Sequence, residues 1–259
     1  AGCNACHQIE SYPKRFNTGP DLTRINEKVS KEWARKWIHN PQSFRHNTWM
    51  PHFFGQENNS SQEMIRRNTT EINTIVEYLF KGDKKNNKSS DRRFLGNANN
   101  GEQLFNNVGC RGCHNIQEEN TKFSELDYDL DKLPYEYSVS EYGYENEKTD
   151  LLGLTKQQGP NLIGLGSKTS AEWLYNWIKN PQEYWPNTRM PNLRLTDLEA
   201  KDITAYLLSF KNEDFEKEDF PELDKVELEK ITRGWLVTAF LEEKAENMLS
   251  EMDYSETVD

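Results

Sequence analysis

Cys110, Cys113 and His114 form the pentapeptide CRGCH, and Cys3, Cys6 and His7 form a second one, CNACH. Two thiols spaced in this way can bond to the two vinyl groups of one haem. The histidine that follows at once then sits under the iron as an axial ligand. The two copies use all four cysteines of the chain, so any disulfide or zinc reading competes for the same sulfur atoms. A thioredoxin-like redox pair expects a β-strand before the motif and has no use for the trailing histidine. A zinc site built on cysteines alone leaves both histidines without a role. The spacing therefore points to two covalently attached haem c groups, each carrying an iron.

The stretches that must position these motifs are repeated. Residues 19–51 align with 159–191 at a constant offset of 140, without a gap, and 16 of the 33 positions are identical. Gly19-Pro20-Asp21-Leu22 corresponds to Gly159-Pro160-Asn161-Leu162. Trp33 and Trp37 correspond to Trp173 and Trp177, Pro41 to Pro181, and Met50-Pro51 to Met190-Pro191. The pentapeptides are offset by only 107, because the second copy carries 33 extra residues between His114 and Pro160. An internal repeat of this kind means two equivalent structural units.

The repeat also selects the second axial ligand. An iron that only passes electrons needs two strong ligands and no open position. His39, His46 and His52 fall on Lys179, Pro186 and Asn192 in the second copy, none of which ligates haem well. Met50 and Met190 fall on each other, whereas Met64, Met248 and Met252 lie outside the repeated block. A lone methionine is ordinarily core filler. At matched positions, each before a proline that stiffens the loop, the pair reads as ligands. A thioether is soft and neutral, favours ferrous iron and raises the potential. The expected metal ligands are therefore His7 with Met50 and His114 with Met190.

Helical spacing carries the elements. Ser30 reads as an N-cap before a helix bearing Trp33, Trp37 and Ile38, which Asn40-Pro41 ends. A last helix of the first copy is expected from about Thr69 to Phe80, with Ile72, Ile75, Val76 and Leu79 on one side. In the second copy a short helix from Asn97 to Val108 leads into Cys110, and a final one runs from Asp197 to Phe210. From Lys225 onward one amphipathic helix is expected, with Leu228, Ile231, Trp235, Thr238, Ala245, Leu249 and Met252 as its stripe. That face either packs back on the preceding units or docks another subunit.

Both copies resemble class I c-type cytochrome domains. The first does so through CNACH, GPDL, WARKWIHNP and WMP, the second through GCRGCH, GPNL, WLYNWIKNP and RMP. The resemblance covers nearly all of residues 1–210 and implies an all-α fold of two tandem cytochrome c-like domains. The expected divisions are domain 1 at 1–82, a linker at 83–95, domain 2 at 96–211 with an insertion at 115–158, and an acidic linker with the C-terminal helix at 212–259. It further implies that the carbonyls of Pro20 and Pro160 accept the Nδ1 proton of His7 and His114, and that the tryptophan helix walls the haem near its propionates. Domain 1 departs from the family pattern, since no helix precedes its CxxCH. Either residues upstream of Ala1 or another element must fill that place. The sequence start itself reads as a processed or truncated end.

The function that follows is electron transfer between redox partner proteins, through two His/Met haems and without substrate chemistry. A haem-bearing subunit of a larger respiratory or nitrogen-cycle complex is the alternative, and a dihaem peroxidase a further one. A peroxidase would need an open sixth position, against which the matched ligand sets speak. Haem attachment in this family is made outside the cytoplasm, which implies a periplasmic or equivalent compartment. Charge is uneven: residues 1–95 hold 16 basic and 10 acidic residues, 96–211 hold 11 and 17, and 212–259 hold 5 and 16. A net charge of −11 argues against nucleic acid as a partner class. No stretch approaches the roughly 18 apolar residues of a membrane span; a membrane-bound respiratory complex is among the expected partners, and an upstream membrane anchor or a further haem domain would fit the missing first helix. The 115–158 insertion and the C-terminal helix are the expected docking elements.

Overall fold

The computed structural model describes residues 2–10, 12, 18–45, 48–54, 56, 58, 60–81, 92–116 and 159–252. The expected linker at 83–95 and insertion at 115–158 lie largely outside these residues. Among the described residues the chain is helical with no strand, as an all-α reading requires. It divides into two units. One comprises residues 1–89, 168–170 and 213–259, the other residues 90–167 and 171–212.

The first unit begins with a single tight turn at Cys3–Ala5, then α1 (Ile25–Lys28) and α2 (Lys31–His39). Ser30 is extended, and its side chain accepts from Trp33 N at 3.1 Å, satisfying an otherwise unpaired donor of the first turn. Asn40 leaves the helical region and Pro41 ends α2. The same proline opens α3 (Pro41–Phe44) at its first position, where a missing N–H costs nothing. The next helix, α4, runs over Gln62–Leu79 and is capped by Ser61, whose side chain accepts from Met64 N. It starts seven residues earlier than apolar periodicity suggested. The added turns are mostly exposed, and only from Thr70 do Thr70, Ile72, Asn73 and Val76 become buried.

The acidic tail belongs to this first unit. Residues 213–217, expected within a linker, form α10, and Phe215 on it is 2% exposed against Phe44 at 4.9 Å and Trp33 at 6.1 Å. The expected single C-terminal helix is two, α11 (Lys225–Ala239) and α12 (Glu242–Glu251), broken where Phe240 turns extended. Leu228, Ala245 and Leu249 are buried, but Trp235, in the middle of the expected stripe, is 67% exposed. Helix α11 packs on α4.

In the second unit α5 (Ala98–Asn107) packs on α9 (Asp197–Leu208). Between them come α6 (Leu165–Lys168), whose last residue groups with the first unit, α7 (Ala171–Lys179) and α8 (Pro181–Tyr184). Asn97 caps α5, and Asp202 on α9 accepts from Asn97 N at 2.7 Å, tying the start of α5 to its partner. Thr196 and Glu199 form a reciprocal capping box at the start of α9. Phe105, Trp173, Leu174, Ile178, Leu195, Ala200, Ile203 and Leu207 make the core. Gly101 lies where the helices cross, and a Cβ there would run into the backbone carbonyl of Asp202. Gly101→Ala should therefore cost this unit about 1–3 kcal/mol, read as a lower denaturation midpoint with an unchanged slope.

Candidate haem-attachment sites

Each unit holds one CxxCH motif in a 3₁₀ turn, at Cys3–Ala5 and Cys110–Gly112. The backbone of each turn bonds back on itself: His7 N donates to Cys3 O at 2.9 Å, and His114 N to Cys110 O at 2.9 Å. In the second unit Gly109 takes φ +100°, which lets α5 turn directly into the motif. The four cysteines are unbridged, and Cys6 is exposed while the others are half-buried. Burial pushes the Cys110 thiol above its usual range, with neighbouring Cys113 a smaller contribution in the same direction. Among the described residues no three His, Cys, Asp or Glu side chains gather as a metal-ion cluster.

The two histidines are held alike. His7 Nδ1 donates to Pro20 O at 2.8 Å, and His114 Nδ1 donates to Pro160 O at 2.8 Å. A carbonyl can only accept, so each Nδ1 carries the ring proton and each Nε2 keeps its lone pair for a metal. The loop that supplies the carbonyl is tied down at matched points. Gly19 N donates to Cys6 O at 2.8 Å and Leu22 N to Gln8 O at 2.9 Å; Gly159 N donates to Cys113 O at 2.9 Å and Leu162 N to Asn115 O at 2.8 Å. Gly19 and Gly159 are required at these points, because a Cβ on either would collide with the imidazole of His7 or His114.

The methionines also sit in matched turns. Met50 N donates to Thr48 Oγ1 at 3.2 Å, and Met190 N to Thr188 Oγ1 at 3.2 Å. Both side chains are half-buried. In the first unit the Met50 sulfur also accepts from Trp37 Nε1 at 2.9 Å. The tryptophan pairs stack: Trp33 on Trp37 with centroids 5.1 Å apart, and Trp173 on Trp177 at 5.4 Å. Phe44 closes the first pair edge-on, and Tyr184 the second. Of the other histidines, His39 packs on Phe220 and His52 has a buried Nε2 with no hydrogen-bond partner. His46 lies outside the described residues.

The residues present fit covalent haem. Each unit offers two thiols beside an imidazole whose Nε2 is available, and a thioether in a braced turn. The buried Nε1 of Trp33 has no hydrogen-bond partner within the protein, as expected of a pocket wall that meets a polar ligand group. Sequence reasoning did not pick out this indole N–H, nor Lys168, whose ammonium lies 4.8 Å from the Trp33 ring centroid and 5.7 Å from that of Trp37. The presence of lysine at both Lys28 and Lys168 in the repeat was the signal available.

A helical unit with a CxxCH turn, a proline-anchored imidazole and a methionine loop defines a haem-bearing electron-transfer domain. Residues 98–211 match the family model described as Cytochrome c. That match supports a c-type cytochrome with covalently bound haem c and haem-based electron transfer. No curated protein and no solved structure matches the chain. Among the described residues no helix is long and apolar enough to cross a membrane.

Proposed function

We propose that the chain is a dihaem c-type cytochrome, an electron carrier with one His/Met haem in each unit. Its expected partners are redox proteins, and its expected compartment is the periplasm or an equivalent one. One observation carries this reading. The Nδ1–carbonyl contact and the threonine-braced methionine turn recur at the same lengths in both units, although 33 more residues separate His114 from Pro160 than His7 from Pro20. Haem bound at each motif supplies a one-electron ferric/ferrous couple. The protein's residues do the rest. Cys3 and Cys6, and Cys110 and Cys113, fix the macrocycle covalently. Pro20 and Pro160 hold the imidazoles in one tautomer and one orientation. Met50 and Met190 would ligate the iron and leave it no open site for substrate. Exposed Trp49 and Phe53 flank Met50 and offer apolar contact area to a partner.

Met190→Ala should turn the second haem high-spin and lower its potential, shifting its reduction equilibrium more than tenfold, or more than about 59 mV for one electron. Met50→Ala should do the same to the first haem. Optical and EPR spectra with a potentiometric titration read both effects. If Met50→Ala leaves the first haem low-spin at an unchanged potential, then a histidine such as His52 or His46 is the ligand. A high-spin iron in the unmutated oxidised protein that reacts with peroxide would replace the carrier reading with a peroxidase.

A further inference from the structure

We propose that the bare second half of α11, around Gly234 and Trp235, is where a second copy of this chain docks, so that the protein is a two-fold dimer joined through its C-terminal helices. The proposal does not depend on haem content.

One face of α11 carries it. Glu227, Leu228, Ile231, Gly234, Trp235 and Thr238 recur at three- and four-residue steps and share one side of the helix. The first half of that side is covered. Glu227 and Leu228 are buried, Ile231 is half-buried, and α11 packs on α4. The second half is bare: Gly234, Trp235 and Thr238 are all exposed. Helix α12 packs on α11 and leaves these three uncovered. The face that folds the helix onto its own unit therefore continues beyond that unit.

Gly234 is a second, independent sign. Inside a helix only proline is less favourable than glycine. At Gly101 the close crossing of α5 and α9 requires one, but a Cβ at Gly234 would meet no atom within 4 Å. Nothing within the single chain repays that choice, whereas a second helix could approach the bare backbone closely. Thr238 fits the same use. Its Oγ1 donates to Gly234 O at 2.7 Å, so its hydroxyl can be covered without leaving a donor unpaired.

Shape and charge select a second copy as the occupant. Contacts across a two-fold axis are reciprocal. Trp235 offers a large flat side chain, and Gly234 beside it offers a gap. Two α11 helices crossing there seat each indole over Gly234 of the partner subunit, and the same fit is made twice. Residues 212–224 hold one basic and seven acidic residues, a surface that repels its own copy and attracts a strongly basic partner. Residues 225–251 hold four basic and six acidic residues, and Gly234, Trp235 and Thr238 are uncharged. Two copies can meet on this face without strong repulsion, and a charged partner finds nothing on it to pair with.

Sedimentation equilibrium of the intact protein tests this. A dimer is expected, weakened by less than about twofold when salt is raised, because the contact is apolar. Trp235→Glu should raise the dimer dissociation constant about 100-fold or more. Gly234→Leu should do the same, although leucine suits a helix better than glycine and finds open space in the single chain. Both variants should keep the parent's far-UV circular dichroism and haem spectra, which separates docking from folding. A parent that sediments as a monomer at every concentration overturns the proposal, gives this face to a different protein and leaves the dihaem reading standing. A dimer whose dissociation constant stays within twofold in both variants also overturns it, because the contact then lies elsewhere.

Discussion

Replacing Cys3 and Cys6 by alanine should halve the covalent haem per chain, and replacing Cys110 and Cys113 should remove the other half. The expectation follows from where the bonds lie. Each motif closes its own turn, and each histidine is held by a proline of its own unit. The loss of one pair of thioethers therefore leaves the other site's backbone network untouched. A pyridine haemochrome assay per mole of chain gives the ratio, and haem staining after denaturing electrophoresis shows that what remains is covalent. Both single-site variants should stay coloured, and only the fourfold Cys→Ala variant should lose covalent haem. A first-site variant with the same haem content as the parent would mean that CNACH carries none, and would reduce the protein to a monohaem cytochrome. A first-site variant that loses all haem would mean that one unit cannot be loaded without the other. The second-site pair is the internal control, since residues 98–211 match the Cytochrome c family model.

Much of this was legible because the repeat compares the chain with itself. The matched turns around Met50 and Met190 depend on Thr48 and Thr188 and on the prolines that follow, all of which recur at one offset. Ser30, Asn97 and Asp197 marked helix starts through side chains that cap or charge the first turn. What the pattern hid has physical causes. The first turns of α4 are polar and exposed, so no apolar period announced them, although Ser61 was a readable cap. Helix α10 is five residues long and carries a single buried side chain, Phe215, among acidic neighbours. The tail's stripe suggested one continuous helix, and the extended Phe240 breaks it. Where the tail packs could not be read at all. Its partner, α4, lies about 150 residues earlier, and nothing in local spacing encodes a contact of that range.

That long-range contact yields the largest effect expected on stability. Deleting residues 213–259 should unfold the first unit and leave the second intact. The deletion removes α10, α11 and α12, and with them Phe215 from a core of Val29, Trp33, Ala34, Phe44 and Val76. It also strips α4 of its packing partner and removes the Glu216 carbonyl, which accepts from buried Lys36 at 3.0 Å. A buried lysine left without that acceptor adds its own cost. Phe215→Ala isolates the packing contribution without changing charge. A Phe→Ala change in a core costs about 3–5 kcal/mol, a large share of the roughly 5–15 kcal/mol that holds a domain folded. Guanidinium titration followed by far-UV circular dichroism and by each haem's Soret band should separate the two units. In Phe215→Ala the transition reporting the first haem should move to lower denaturant while the second stays in place. In the deletion the first haem should already lack methionine ligation in buffer, because Phe215 no longer braces Trp33 and Phe44, against which Trp37, the donor to the Met50 sulfur, is packed. Coincident transitions that shift together in Phe215→Ala would mean that the units unfold as one body. An unchanged first transition in the deletion would mean that residues 1–89 need no helix from the tail.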